Sequence, residues 1–193
     1  MARKIAAFIF AAAVIAVVAL YLRNLEPISL GDGASATAAA DYTALITEES
    51  GFLGVVTVTD TYGEALYKWQ SSEGYVLSAA VSPRHDALAV LTASKDSPFR
   101  LRIFSLQNET EQGSIYMPDQ GVFYDIKYLD NNRIALFGSQ AVIITDGFAR
   151  DVSRYPFEGK TLTGYSISPD LVLTFEDTIV NYINGEWRNE PIA

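Results

Sequence analysis

The apolar positions of this chain fall into two patterns. From Ile5 to Leu22 they form one unbroken run of 18 residues, IAAFIFAAAVIAVVALYL, with no charge in it. After Tyr42 they come in short strings: Leu53–Thr59, Val76–Val81, Ala87–Leu91, Leu101–Leu106, Ile134–Phe137, Ala141–Thr145, Leu171–Phe175 and Thr178–Ile183. The first pattern is long enough to cross a bilayer core as a helix, which takes about 20 apolar residues and no fewer than roughly 17. The second is that of strands. The strings are separated by Ser82-Pro83-Arg84-His85-Asp86, Asp130-Asn131-Asn132, Asp146-Gly147, Ser168-Pro169-Asp170 and Asn184-Gly185. Proline presets φ in such turns, and Asn-Gly or Asp-Gly accepts positive φ. No segment beyond the first run has a helical period, so the class is all-β with short hairpins.

A cleaved signal peptide has a shorter apolar region, about 7–15 residues, followed closely by a small-x-small site. Here the run ends in Tyr21-Leu22-Arg23-Asn24. The nearest such triplets outside it, Ala34-Ser35-Ala36 and Ala36-Thr37-Ala38, lie more than ten residues past Leu22. The run is therefore read as an uncleaved, single-pass transmembrane signal anchor. Arg3, Lys4 and the α-amine on its N-terminal side outweigh Arg23 on the other. The positive-inside rule then places the N-terminus in the cytoplasm and the remainder on the extracytoplasmic side of the cell membrane. Residues 1–4 become a short cytoplasmic N-terminus, 5–22 the anchor and 23–41 a flexible stalk. The stalk's segment EPISLGDGASATAAA has no apolar face of either period. Residues 42–193 form the folded domain.

Within that domain the strings recur in order. One unit starts at Gly74 (strands GYVLSAAV, ALAVLTA, FRLRIFSL, GSIYMP), a second at Gly121 (GVFYDIKYL, RIALFG, AVIITD, ARDVSRYPF) and a third at Thr161 (TLTGYSI, LVLTFE, TIVNYI, EWRNEPI). The starts lie 47 and 40 residues apart, which suits a four-stranded propeller blade of ~40–50 residues. Two units carry Ser-Pro at their first hairpin, Ser82-Pro83 and Ser168-Pro169. Ahead of them, Tyr42–Trp69 holds three strands, a unit lacking its inner strand. The expected architecture is a β-propeller of about four blades. It is either a compact ring or part of a larger six- to eight-bladed one, since no returning strand follows the last unit.

The segment Val58 to Tyr67, VTDTYGEALY, is similar to the D-x-x-G-x-x-L-W turn of quinoprotein-type blades, with Tyr67 where the Trp would stand. Asp146-Gly147 and Asn184-Gly185-Glu186-Trp187 occupy the matching turn of later units in degenerate form. The units thus resemble WD40-like and quinoprotein-like blades. With the anchor, the chain resembles a bacterial family of membrane-anchored propellers of unknown function. The resemblance covers the anchor and Tyr42–Ala193. It brings no activity and implies no quinone cofactor, because the motif is a packing device between blades.

Composition narrows the chemistry. The 193 residues include 14 Lys+Arg, 23 Asp+Glu, one His and no Cys, for a net charge of -9. All 23 acidic residues lie beyond Leu22, and setting aside Arg3, Lys4 and Arg23 leaves 11 basic ones, a net of -12 for the remainder. Such a domain does not present the clustered cations that nucleic acid requires. Anionic headgroups would repel it, which favours a domain held off the membrane. A cysteine nucleophile, a disulfide and a thiolate-ligated zinc are excluded. His85, in the Ser82–Asp86 turn, is either a general base or single ligand, or simply a turn residue; nothing like G-x-S-x-G accompanies it. No cofactor and no metal site is expected.

Asp125 is the one candidate catalytic residue. The repeat aligns it with Ser78 and Gly164 on the strand that faces the central channel, where a carboxylate could serve a glycosidase-type pair. Alternatively it is a channel residue satisfied by water, Lys127 or Arg133. Glu176 and Asp177 fall at a hairpin and are expected to be solvated. Asp130-Asn131-Asn132 is too short for a calcium loop and reads as a type I′ turn. Asn108-Glu109-Thr110 is a glycosylation sequon in an exposed turn. Aromatic residues make up 12% of the chain. Tyr67, Trp69, Tyr116, Tyr155, Phe157 and Trp187 fall on outer or blade-packing strands, as core between blades or as a binding surface. The expected function is non-enzymatic binding of a protein or envelope component through loops on one face, with the membrane as the other partner. An envelope hydrolase using channel carboxylates and a small-ligand-binding channel are the alternatives, and the sequence singles out no binding residues.

Overall fold

The β-branched and aromatic strings become strands, and the Asp, Asn, Ser and Gly clusters between them become turns. The computed structural model describes residues 42–95, 99–117, 121–168 and 170–192. The cytoplasmic segment, anchor and stalk expected over 1–41 lie outside the described residues. Fifteen strands occur among those described. The first sheet holds β1 (Thr43–Thr47), β2 (Val55–Thr59) and β3 (Ala65–Gln70). The second holds β4 (Tyr75–Val81), β5 (Ala87–Ala93), β6 (Arg100–Ser105) and β7 (Glu111–Tyr116). The third holds β8 (Phe123–Tyr128), β9 (Arg133–Gly138), β10 (Ala141–Asp146) and β11 (Asp151–Pro156). The fourth holds β12 (Gly164–Ser166), β13 (Leu171–Thr174), β14 (Thr178–Ile183) and β15 (Glu186–Pro191). Each sheet is an antiparallel meander of sequential strands.

Hairpin chemistry identifies which strand the first sheet lacks. In the β2–β3 turn, Asp60 Oδ1 accepts the N–H groups of Tyr62 and Glu64, both at 2.9 Å. In the β10–β11 turn, Asp146 Oδ1 accepts those of Phe148 and Arg150, also at 2.9 Å. A β-bulge precedes each, at Val58/Thr59 and at Ile144/Thr145. So β2 and β3 correspond to the third and fourth strands of the later sheets, and the first sheet has no inner strand among the described residues. β1 lies against β4 in its place, as β4 lies against β8.

Two turns differ in instructive ways. Asn184 and Gly185 both have positive φ, at 53° and 88°, the pair of values a type I′ hairpin needs. Asp130-Asn131-Asn132 does not form that turn, contrary to expectation. None of its residues has positive φ; instead Asp130 Oδ1 accepts the N–H groups of Asn132 and Arg133 at 2.8 Å. The aspartate side chain closes the turn and removes the need for left-handed backbone.

The core lies between the sheets. Three buried clusters each bridge consecutive sheets. Val56 and Val58 pack with Leu88, Val90 and Phe104 between the first and second. Leu91, Leu101 and Ile103 pack with Phe123, Ile126 and Leu136 between the second and third. Phe137, Val142 and Ile144 pack with Leu171, Leu173 and Val180 between the third and fourth. Among the described residues, no such cluster joins the fourth sheet to the first. Each fully buried aliphatic side chain contributes about 1.5–3 kcal/mol, so the seams hold the sheets in order.

Candidate functional site

The inner strands β4 and β8 open in the same irregular way. Their pairing with β5 and β9 skips one residue, between Val76 and Ser78 and between Phe123 and Asp125. The bulged residues, Leu77 and Tyr124, are 47 positions apart, the spacing of the repeat. A bulge re-aims the side chains around it. Here it turns Leu77 and Tyr124 outward, with exposures of 38% and 46%. Two positions earlier, Tyr75 and Val122 are exposed as well. Tyr165 on β12 adds a further partly exposed ring, stacked on Phe137 with centroids 4.0 Å apart.

The same bulges bring Ser78 and Asp125 together. Ser78 Oγ–H donates to Asp125 Oδ1 at 2.7 Å, and the Tyr165 hydroxyl donates to Oδ2 at 2.8 Å. The Ile126 N–H donates to Oδ1 at 2.8 Å, and Lys127 Nζ stands 3.4 Å from Oδ2. One carboxylate thereby ties the inner strands of the second, third and fourth sheets. Burial, then the hydrogen bond to Asp125 and its charge, push the Tyr165 phenol up from its ordinary value. Burial and then Asp125 do the same to Tyr124.

Asp125 therefore faces the inner row, as the repeat alignment implied, but its oxygens are occupied by three donors and a lysine. Of the two cations expected beside it, Lys127 is there. Arg133 instead donates from Nε to Asp130 Oδ2 at 2.7 Å. The alignment of Asp125 with Ser78 carried the clue to one partner. Tyr165 was not foreseen, because it reaches Asp125 from a strand whose register match to Asp125 is Gly164.

The remaining candidates take structural places. His85 has φ of 60° and stacks on Tyr42, with centroids 4.4 Å apart. Glu176 and Asp177 are exposed, and Asp177 pairs with Lys160 at 3.0 Å. Trp69 packs on Phe104, and Trp187 packs on Tyr155 and Tyr182 while its Nε1–H donates to Ser153 Oγ at 2.8 Å. Phe157 is buried, whereas Tyr116 is 54% exposed beneath the Arg100 guanidinium. Asn108 lies in an exposed turn. Among the described residues, no group of three or more His, Asp or Glu side chains is placed to hold a metal ion.

The sheet arrangement is similar to that of the C-terminal WD40 domain of Sif2. The TM-score is 0.52 at 9% identity, over 69% of this chain and 38% of that one. It is also similar to the Dos1 propeller, with a TM-score of 0.56 at 9% identity, over 74% of this chain and 41% of that one. The chain thus spans about two-fifths of the length of each of these two structures. No family model matches the sequence, and no curated protein does so either.

Proposed function

We infer that this β-propeller of WD40-like blades is a binding scaffold. We propose that the protein is a membrane-anchored, extracytoplasmic member of this fold, non-enzymatic, which binds a protein partner through the inner row of its strands. The observation that carries the binding reading is an exposed set around the Asp125 carboxylate: Leu77 and Tyr124 at the paired bulges, Tyr75 and Val122 just before them, and Tyr165 on β12. Tyrosine-rich surfaces supply large contact area at low entropic cost and are frequent binding hot spots. The anchor and its orientation are supported by the Ile5–Leu22 run and the Lys/Arg bias around it. The family resemblance, to bacterial anchored propellers, points the same way.

Two experiments test the two halves of this reading. The chain has no cysteine, so Tyr62→Cys introduces a single thiol at a turn position that is 93% exposed. A membrane-impermeant maleimide should label it in cells with an intact plasma membrane, and labelling only after lysis would refute the orientation. For binding, the full-length chain is purified in mild detergent from the cells that make it. A discrete partner should co-purify with the wild type and be lost with Tyr75→Ala/Tyr124→Ala. Equal recovery with that double variant would refute the inner-row surface.

A further inference from the structure

A second polar site lies at the other end of the strands, in the seam between the second and third sheets. Asp86, Ser105 and Gln107 line it from one side, and Tyr128, Asn131 and Phe148 from the other. Tyr128 closes β8 and Tyr124 lies four residues earlier, so the two sites are roughly 13 Å apart along the strand.

The formal charge that lines this cleft is of one sign. No lysine or arginine lines it. Arg150, next to the β10–β11 turn, is held by Asp146 at 2.6 Å. Asp86 Oδ1 accepts Ser82 Oγ–H at 2.7 Å, and the Asp86 carboxylate is ion-paired with no lysine or arginine among the described residues. Tyr128 is only 8% exposed, yet its hydroxyl has no hydrogen-bond partner, and neither has the side-chain oxygen of Asn131. Buried polar atoms are nearly always paired, so two in one cleft are open to the donors of water or of a ligand. Burial, and then the charge of Asp86, push the Tyr128 phenol up, so it stays neutral and can accept.

The carboxylate and the amide oxygen only accept and the phenol oxygen can accept, so a donor-rich ligand that brings positive charge suits this cleft. An ammonium group has three donors and a guanidinium five, with no acceptor to leave unmatched. A neutral sugar brings as many acceptors as donors and leaves Asp86 without a counter-charge. The field of the domain agrees, with 20 acidic and 11 basic residues from Tyr42 onward.

We propose that this cleft receives a lysine or arginine side chain of a basic protein partner, with Asp86 as counter-ion and Tyr128 and Asn131 as neutral acceptors. It is separate from the inner-row surface and depends on neither the anchor nor the tyrosine row.

The test uses the full-length chain in non-ionic detergent and the fluorescein-labelled peptide GSGRKRGSG at low salt, read by fluorescence anisotropy. The wild type should bind this peptide and not its counterpart with citrulline and norleucine at the charged positions. Asp86→Asn should weaken binding about tenfold and Tyr128→Phe roughly three- to fivefold. Glu190→Gln removes an equal charge from an exposed site on β15 and should change affinity less than about twofold. Equal losses in Asp86→Asn and Glu190→Gln would reduce the effect to net charge and overturn the proposal. Unchanged affinity in Tyr128→Phe, or binding of maltoheptaose in place of the peptide, would overturn it as well.

Discussion

The middle sheets and the end sheets are built from the same repeat but are buried differently. In the second and third sheets, β5, β9 and β10 are buried at nearly every position. Their sequences, ALAVLTA, RIALFG and AVIITD, are almost continuously apolar. In the first and fourth sheets, β2, β13 and β14 alternate between buried and half-buried positions. Thr57, Thr174 and Asn181 occupy half-buried places there. A strand covered on both faces needs apolar side chains on both, whereas one covered on a single face needs them at every second position. The number of covered faces, more than the repeat itself, sets the local periodicity.

The sharpest way to break this comparison is to truncate equivalent leucines. Leu136 and Leu173 are both fully buried, but the seam around Leu136 has sheets on both sides of its own. Leu136→Ala should cost about 4 kcal/mol, and Leu173→Ala nearer about 2 kcal/mol, because an end sheet can relax into the space left. Urea unfolding of the full-length protein reports both. Its two tryptophans, Trp69 and Trp187, sit in the first and fourth sheets and follow the ends by fluorescence. Equal losses would mean that the end sheets are packed as rigidly as the middle ones.

A second test adds volume to the seam between the middle sheets. A Cβ at Gly113 would collide with the backbone carbonyl of Phe148 on the neighbouring sheet. That atom is not the tip of a flexible side chain, so Gly113→Ala should cost about 1–3 kcal/mol. A neutral substitution would show that this seam can slide.

Asp125→Asn probes the link from the middle sheets to the fourth. It keeps the shape of the side chain but loses the charge that strengthens the hydrogen bonds from Ser78 and Tyr165. A loss of about 1–2 kcal/mol is expected, detected first by Trp187. A variant of unaltered stability would reduce Asp125 to a bystander of the inner row.

The smallest effect is that of acid. For Asp130 and Asp146, burial by itself raises the carboxyl, but it is outweighed. Backbone N–H donors and the neighbouring Arg133 and Arg150 leave both below the ordinary value. A depressed folded pKa contributes stability that is complete above the unfolded pKa of about 3.9 and is lost as pH falls through the folded value. Stability should therefore hold from neutral pH down to about 4 and decline below it, and Asp146→Asn should flatten that decline in a pH series of unfolding midpoints. Both turns belong to the third sheet, so a decline reported by Trp69 before Trp187 would contradict the assignment.

Much of the fold was legible because its determinants are local. The Asp60 and Asp146 turns, the Asn184-Gly185 hairpin and the 47-residue offset between the second and third units could all be seen in the chain. The first unit's missing inner strand followed from counting strands. The site was less legible because its parts meet across sheets. Nothing local to Tyr165 says that its hydroxyl reaches Asp125. Nothing in the strand patterns marks Leu77 and Tyr124 as bulges, since a bulge is a property of pairing and either strand could carry the extra residue. The type I′ turn expected at Asp130-Asn131-Asn132 does not form because the Asp130 carboxylate caps the turn instead. Nothing local to Tyr128 sets it apart from the rest of β8, and its unpaired hydroxyl arises only once Asp86 and Asn131 are brought beside it.

The central claim is that the inner row, rather than an arbitrary exposed surface, is where a partner binds. The most direct measurement places a benzophenone amino acid at Tyr124, and in separate chains at the exposed Tyr62 and Leu66, which line neither site, then irradiates the cells that express them. A discrete cross-linked product at position 124, absent at 62 and 66, is the predicted result. The absence of product at 124, or the same product at all three positions, would contradict it.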